Sequence, residues 1–87
     1  MRKEPEDFGD AEMSLIHVAR RLKEALRVEA LLTDAGLDYV VEPDEYSVGS
    51  LFRRRRIGAF FYVAARDDAS ARELLRRGGF TPFEQHG

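Results

Sequence analysis

Three segments of the chain have the pattern of β-strands. Residues 13–19 are short and rich in branched aliphatic side chains, and residues 57–65 are the most apolar stretch of the sequence. Both compositions favour the extended backbone of a buried sheet. Apolar and polar residues alternate over 37–42, which predicts a third strand. Pro43 ends that strand or restricts it to a sheet edge, because proline has no N–H to donate to a neighbouring strand.

Two other segments have the three- and four-residue apolar spacing of amphipathic helices. The first begins at Arg21 and ends at Gly36, where glycine can adopt the left-handed conformation that commonly ends a helix. Its predicted buried stripe is Leu22, Ala25, Val28 and Leu32. The second follows Asp67 or Asp68 and ends at the glycines of positions 78–79. Its predicted buried stripe is Ala71, Leu74 and Leu75.

The order of these elements is strand, helix, strand, strand, helix, and residues 80–84 are a candidate fourth strand. Pro82 would confine that strand to an edge. With right-handed crossovers, the order predicts an α+β ferredoxin-like fold, βαββα(β), in which two helices cover one face of an antiparallel sheet and strands one and three are central. We predict a single ferredoxin-like domain over residues 13–83 and a short tail over residues 84–87.

Residues 1–12 are predicted to be a mobile acidic tail. They contain Pro5 and Gly9, show no apolar period, and carry five acidic and two basic side chains. The whole chain has a formal charge of -2, so residues 13–87 together carry +1. Met13 is a candidate start of the folded unit and a candidate alternative start codon. Deletion of residues 1–12 is then expected to leave the melting transition nearly unchanged.

The composition argues against several classes of function. A chain of 87 residues can build one hydrophobic core. It contains no cysteine, which excludes disulfides and thiol chemistry and favours a reducing, cytoplasmic location. Its charge is not the clearly basic charge of a dedicated nucleic-acid binder. No apolar run approaches the roughly 18 residues that span a bilayer, so no membrane interaction is expected.

No catalytic residue, metal site or cofactor is predicted. His17 and His86 lack the spacing of metal ligands, and the sequence indicates no carboxylate or nucleophile beside His17. Three acidic residues lack the glycine-centred spacing of a calcium loop; they are Glu42, Asp44 and Glu45. The absence of asparagine disfavours an acylphosphatase-like enzyme. Arg20 and Arg21 begin a helix where anions can bind, but solvated arginines are the favoured interpretation.

Residues 44–56 are predicted to be a long loop that serves as an interaction surface. Four consecutive arginines end it, and a planar guanidinium can bind phosphate or carboxylate. Their neutralisation by Asp44 and Glu45 across the hairpin is the slightly favoured alternative, although exposed ion pairs contribute only about 0–1 kcal/mol. Apolar side chains between the charges indicate a contact surface. The predicted interaction residues are Tyr46, Phe52, Arg53, Arg54, Arg55 and Arg56.

The sheet face opposite the helices is a second candidate surface. If alternate residues such as Ile16 and Val18 face the helices, their neighbours face away from them. The predicted outward set is Leu15, His17, Val40, Phe60 and Tyr62. Two aromatic rings are unusual on a solvated face, so self-association or a protein partner is expected. The third strand matches an RNA-binding signature only at Arg56, Ala59 and Phe60, so nucleic acid is not the favoured partner.

Several segments resemble a bacterial domain-of-unknown-function family described as signal-transducing proteins. The similar segments are Val18-Ala19-Arg20, Glu24-Ala25, Val28, Leu31-Leu32, Ala35-Gly36-Leu37, Asp67, Ala71 and Leu74-Leu75. The resemblance covers about residues 13–77 and implies a small ferredoxin-like domain reminiscent of PII signalling proteins, with no catalytic residues to carry over. Unlike longer members of the family, the chain has no cysteines for an attached zinc-binding segment.

These features together predict a non-enzymatic regulatory or protein-interaction module of the bacterial cytoplasm. It is expected to act in signal transduction through residues 44–56 and the outward sheet face. The alternative is a binder of nucleic acid or of an anionic ligand, which uses the arginines at positions 53–56 with Phe60 and Tyr62. An acylphosphatase-like enzyme ranks third.

Overall fold

The computed structural model describes residues 1–48 and 54–84, which form an α+β structure with two α-helices and a three-stranded antiparallel sheet. In chain order the elements are β1 (Met13–Ala19), α1 (Leu22–Asp34), β2 (Val40–Val48), β3 (Arg54–Ala64) and α2 (Asp68–Arg77). Short 3-10 helices span Pro5–Phe8 and Ala65–Asp67. The α+β class and the bounds of the first strand are as the sequence predicts.

β3 is the central strand of the sheet, whose order is β1-β3-β2, and it pairs antiparallel with both neighbours. The sequence predicts a central β1 as well, but β1 lies at an edge of the described sheet. Beside it, the Phe83 N–H donates to the Ile16 carbonyl at 2.7 Å. Residues 80–84 nevertheless form no strand, and Pro82 has no N–H to extend this pairing.

One hydrophobic core lies between the helices and one face of the sheet. Its buried side chains are Ile16, Ala19, Ala25, Val28, Leu32, Tyr39, Phe61, Val63, Ala71 and Leu75. The predicted helix stripes therefore face the sheet, except that Leu22 is 76% exposed in the first turn of α1. Gly36 ends α1 at φ +75°, and the Leu37 N–H donates to the Leu32 carbonyl at 3.0 Å, as in a Schellman cap.

A β-bulge in β1 changes which residues face the helices. Leu15 is opposite Tyr62, but His17, two residues later, is opposite Phe61, so Ile16 is the extra residue. Residues directly opposite each other share a face. His17 therefore lies on the helix side with Phe61, whereas Val18, opposite Phe60, lies on the other side. The predicted faces of His17 and Val18 are wrong, because strict alternation does not hold across a bulge.

β2 and β3 form a hairpin that extends into the segment predicted to be a loop. The pairing continues as far as Val48 opposite Arg54. The prediction of a loop over residues 44–56 is therefore wrong at both of its ends, which are strand. Residues 49–53 lie outside the described residues. Backbone pairing at a sheet edge tolerates the polar side chains that made this segment resemble a loop.

β2 begins at Val40, three residues later than predicted, and continues through Pro43. The N–H and carbonyl of Tyr39 bond to the amino-terminal segment, so they point away from β3. Because backbone groups alternate in direction along a strand, those of Val41 and Pro43 also point away from β3. The missing N–H of Pro43 thus interrupts no pairing, which confirms that this proline belongs to an edge strand.

The amino-terminal segment, predicted to be a mobile tail, has defined backbone contacts in the structure. The Tyr39 N–H donates to the Met1 carbonyl at 3.1 Å, and the Lys3 N–H donates to the Tyr39 carbonyl at 2.7 Å. The chain then forms its first 3-10 helix, and the Ala65 N–H donates to the Glu12 carbonyl at 2.8 Å. These bonds extend the sheet margin through backbone atoms alone, which side-chain periodicity does not reveal. The domain boundary at residue 13 stays a prediction.

Candidate interaction surface

The sheet face opposite the helices, called the open face below, is arranged in rows across the three strands. One row joins Leu15, Tyr62 and Val40, and the next joins Val18, Phe60 and Glu42. The following rows of the hairpin pair Asp44 with Gly58 and Tyr46 with Arg56. No described helix other than the short one at Pro5–Phe8 approaches this face. The open face therefore has an apolar half and a charged half.

The apolar half of the open face is only partly solvated. Leu15, Val18, Phe60 and Tyr62 are half-buried, whereas Val40 is 3% exposed and cannot serve as the accessible contact that the sequence predicts. Pro5 accounts for part of this burial, because it lines a small cleft with Met13, Val40, Glu42 and Tyr62. Burial raises the pKa of the Tyr62 hydroxyl, and the nearby carboxylates of Glu42 and Asp44 raise it further.

Tyr46 lies against the open face because Gly58 leaves room for its ring. A Cβ atom at position 58 would lie 2.9 Å from Cε1 of Tyr46 and 3.1 Å from the Ala19 carbonyl oxygen. The guanidinium of Arg20 lies over the same ring, 5.4 Å from its centroid. A cation in this position is attracted by the face of the ring. Gly58 thus brings an aromatic ring of β2 to a cation that directly follows β1.

These residues border an open cleft of about 480 Å³. Its lining residues are His17, Val18, Arg20, Glu45, Tyr46, Phe60, Thr81 and Phe83. The lining combines aromatic rings with one exposed cation and one exposed carboxylate. Such a mixture is typical of a protein contact surface, in which aromatic and arginine side chains are enriched.

His17 has a carboxylate partner that the sequence analysis did not find. Its Nε2 lies 2.7 Å from Oε2 of Glu24 in the first turn of α1, and its ring meets Phe80 edge to face at 5.5 Å. His17 is 5% exposed, and no bond is formed by its Nδ1 within the described residues. The pair contacts no hydroxyl nucleophile there. The missed signal is the two-residue connection from β1 to α1, which brings the first helical turn back over the strand.

The arginines of the hairpin are only partly described. Phe52 and Arg53 lie outside the described residues, and Arg54 is described by its backbone alone. Arg55 lies 3.6 Å from Glu45, but both side chains are more than half exposed, so the pair adds little stability. Arg56 is exposed and opposite Tyr46 on the open face. Neutralisation across the hairpin, weighed in the sequence analysis, thus occurs at Arg55.

Apart from Met1, the large apolar side chains that are exposed among the described residues lie away from the open face. Leu22 and Leu26, one turn apart on α1, are 76% and 56% exposed, and Ile57 on the hairpin is 72% exposed. Isolated apolar side chains are normal on protein surfaces. Two leucines one helical turn apart still form a small apolar surface that is an alternative binding site, so the experiments below compare it with the open face.

The described residues offer no clear metal site. Within residues 1–48 and 54–84, no three His, Asp or Glu side chains are grouped closely enough to hold an ion. Neither described helix is long and apolar enough to cross a membrane.

Comparisons with protein-family models, with curated proteins and with solved structures found no match. The structure itself defines the class: a small α+β domain with two helices and a three-stranded antiparallel sheet. The open face and the cleft beside it form the candidate functional surface of this domain.

Proposed function

We propose that the chain is a non-enzymatic regulatory or protein-interaction module that binds its partner through the open face and the hairpin. The observation that carries the proposal is the group of aromatic rings at Tyr46, Phe60 and Tyr62, on a sheet face that no described α-helix covers. The arrangement is compatible with a ferredoxin-like fold. A role in signal transduction in the bacterial cytoplasm agrees with the family resemblance and is part of the proposal.

The rings of the open face suit a partner surface energetically. Tyrosine and arginine are enriched among residues that dominate binding energy, especially where neighbouring contacts exclude water. Phe60 is half-buried in the chain alone, at the centre of the face between Val18 and Glu42. A partner that covers Phe60 would remove the remaining apolar area from water, which contributes roughly 25 cal/mol per Å².

The proposal is tested by replacing Phe60 with aspartate and measuring what the purified chain retains from a lysate. Leu26→Asp is the control, because Leu26 is also a large apolar residue that water reaches, but it lies on α1. We expect Phe60→Asp to lose the retained partner, or its own self-association, while Leu26→Asp keeps it. Equal retention by both variants would contradict the proposal, provided that circular dichroism shows both to be folded.

Binding of an anionic ligand or of nucleic acid is the second candidate. It is favoured by Arg20 and Arg56, which border the ring of Tyr46 and form no ion pair within the described residues. Bases stack on aromatic rings, and guanidinium groups contact phosphate. We expect salt-dependent retention on single-stranded RNA that falls when positions 53–56 are changed to alanine. Absence of retention at low salt would remove this candidate.

A further inference from the structure

The open face carries acidic and basic side chains on opposite sides. Glu42 and Asp44 project from β2, whereas Arg20 directly follows β1. All three side chains are exposed, and none forms an ion pair with another side chain that the structure describes. The strands β1 and β2 are separated by β3 and thus lie about 10 Å apart, at about 4.8 Å per strand spacing. A complementary partner would therefore present a basic group over the acidic β2 side and an acidic group over the basic β1 side.

A second copy of the chain provides that reversed pattern. In a two-fold symmetric contact, each residue pair occurs twice, with the roles of the copies exchanged. If the axis lies along β3, β1 of one copy covers β2 of the other. Arg20 then lies opposite Asp44 of the second copy, and Val18 lies beside Glu42. The Phe60 rings of the two copies meet on the axis, next to the margin of the face that Pro5 of the same copy already covers.

The other face-to-face arrangement is disfavoured by the same residues. An axis across the strands through Phe60 would place β1 on β1 and reverse the row order. Arg20 would then lie over Leu15, and Asp44 over Val40, which buries charges against apolar groups. The axis along β3 also places Glu42 beside Val18, but of these two axes it is the one that pairs opposite charges. The Arg56 side chains of the two copies would approach each other near the axis. They lie at the far end of the hairpin, however, where the twist of the sheets separates the two packed faces.

We propose that a second copy of this chain covers the open face, with a two-fold axis along β3 and with Arg20 of each copy paired to Asp44 of the other. The inference deepens the proposed function, on which it rests, by naming the partner. Two rows across three strands, with a third row formed by Arg20, Gly58 and Asp44, cover roughly 300 Å² per copy, from the usual strand spacings. An interface of this size lies below the range of stable specific contacts, so the dimer is expected to be weak and transient.

The test exchanges charges between the two sides of the face. Arg20→Asp alone places two carboxylates at each contact, and Asp44→Arg alone places two guanidinium groups there. Each variant is expected to weaken dimerisation by about tenfold or more, as close like charges do. In an equal mixture, every contact between the two variants joins opposite charges. Sedimentation equilibrium should therefore show a mixed dimer formed from two monomeric variants. Arg21→Asp, one residue away and also exposed, is the matched control and should dimerise normally.

The outcomes separate this inference from the proposed function. A wild-type chain that stays monomeric at all concentrations overturns the second copy as partner. A wild-type dimer that persists in both single variants, or a mixture that stays monomeric, overturns the geometry. In either case the proposed function is judged independently by Phe60→Asp: loss of a different protein partner supports it, and unchanged binding overturns it as well.

Discussion

Arg72 joins three parts of the structure, and its replacement gives the sharpest prediction for stability. Its Nε donates to both carboxylate oxygens of Asp68, at 3.0 and 2.9 Å. Its Nη2 donates to the Leu15 carbonyl at 3.0 Å, and its Nη1 donates to the Phe83 carbonyl. One guanidinium thus ties α2 to β1 and to the carboxyl-terminal segment. Its side chain is only 20% exposed.

The expected cost of Arg72→Ala follows from these partners. Hydrogen bonds that involve a charged group contribute about 1.5–3 kcal/mol each, and bonds to one guanidinium are not additive. Asp68 is partly exposed, so water can replace some of what it loses. We therefore expect a loss of about 3–4 kcal/mol in the free energy of unfolding. At about 4–8 °C per kcal/mol for a domain of this size, the melting temperature should fall by roughly 12–30 °C.

Arg77→Ala is the matched control on the same helix. Arg77 also bonds an acidic residue four positions earlier, with Nε 3.3 Å from Glu73, but its side chain is 76% exposed. An exposed pair of this kind should contribute less than about 1 kcal/mol. The free energy of unfolding of both variants is measured by urea denaturation, with circular dichroism as the signal. A difference of less than about 1 kcal/mol between them would refute the reasoning, because burial would then not decide the cost.

Three further predictions follow from the described contacts. Gly58→Ala should destabilise the chain by about 1–3 kcal/mol through overpacking, and Tyr46→Ala should relieve much of that cost in a double-mutant cycle measured by urea unfolding. Deletion of residues 1–12 should lower the melting temperature, because it removes backbone bonds at the sheet margin; an unchanged temperature would support the mobile tail instead. The Ser14 hydrogen bond, followed by Arg72, lowers the pKa of Asp68 below its ordinary value of 3.8, although burial opposes this. The ionised Asp68 carboxylate therefore stabilises the fold above pH 3.8, and this stabilisation is lost as the pH falls through the lower pKa of the folded state. Asp68→Asn should therefore reduce the fall of the urea unfolding midpoint at acidic pH.

Local signals in the sequence predicted the parts of the fold that local physics determines. β1 is predicted with its bounds because the aliphatic side chains of Leu15, Ile16 and Val18 are concentrated in one short segment, and Gly36 is predicted because the helix ends at a residue with a positive φ. The predicted buried stripe of α1 is wrong only at Leu22, which begins the helix and is exposed. Such signals require no knowledge of distant residues.

The candidate surface was harder to predict because it depends on contacts between distant residues. His17 changes faces through a bulge at Ile16, where Glu24 provides a polar partner on the helix side. The contact between Tyr46 and Arg20 requires the gap at Gly58. None of these contacts produces a repeating pattern of apolar and polar residues in the sequence. Phe60 and Tyr62 were placed on the open face correctly, because β3 alternates without interruption.

The most direct test of the binding surface is a dilution series followed by two-dimensional NMR of the amide groups, from about 20 μM to about 1 mM, the range of a weak dimer. The account predicts concentration-dependent shifts at Val18, Phe60 and Tyr62, which share the open face, and constant signals at Leu22 and Leu26. Shifts confined to the two leucines of α1, or spectra that do not change, would contradict the claim that the open face binds a second copy.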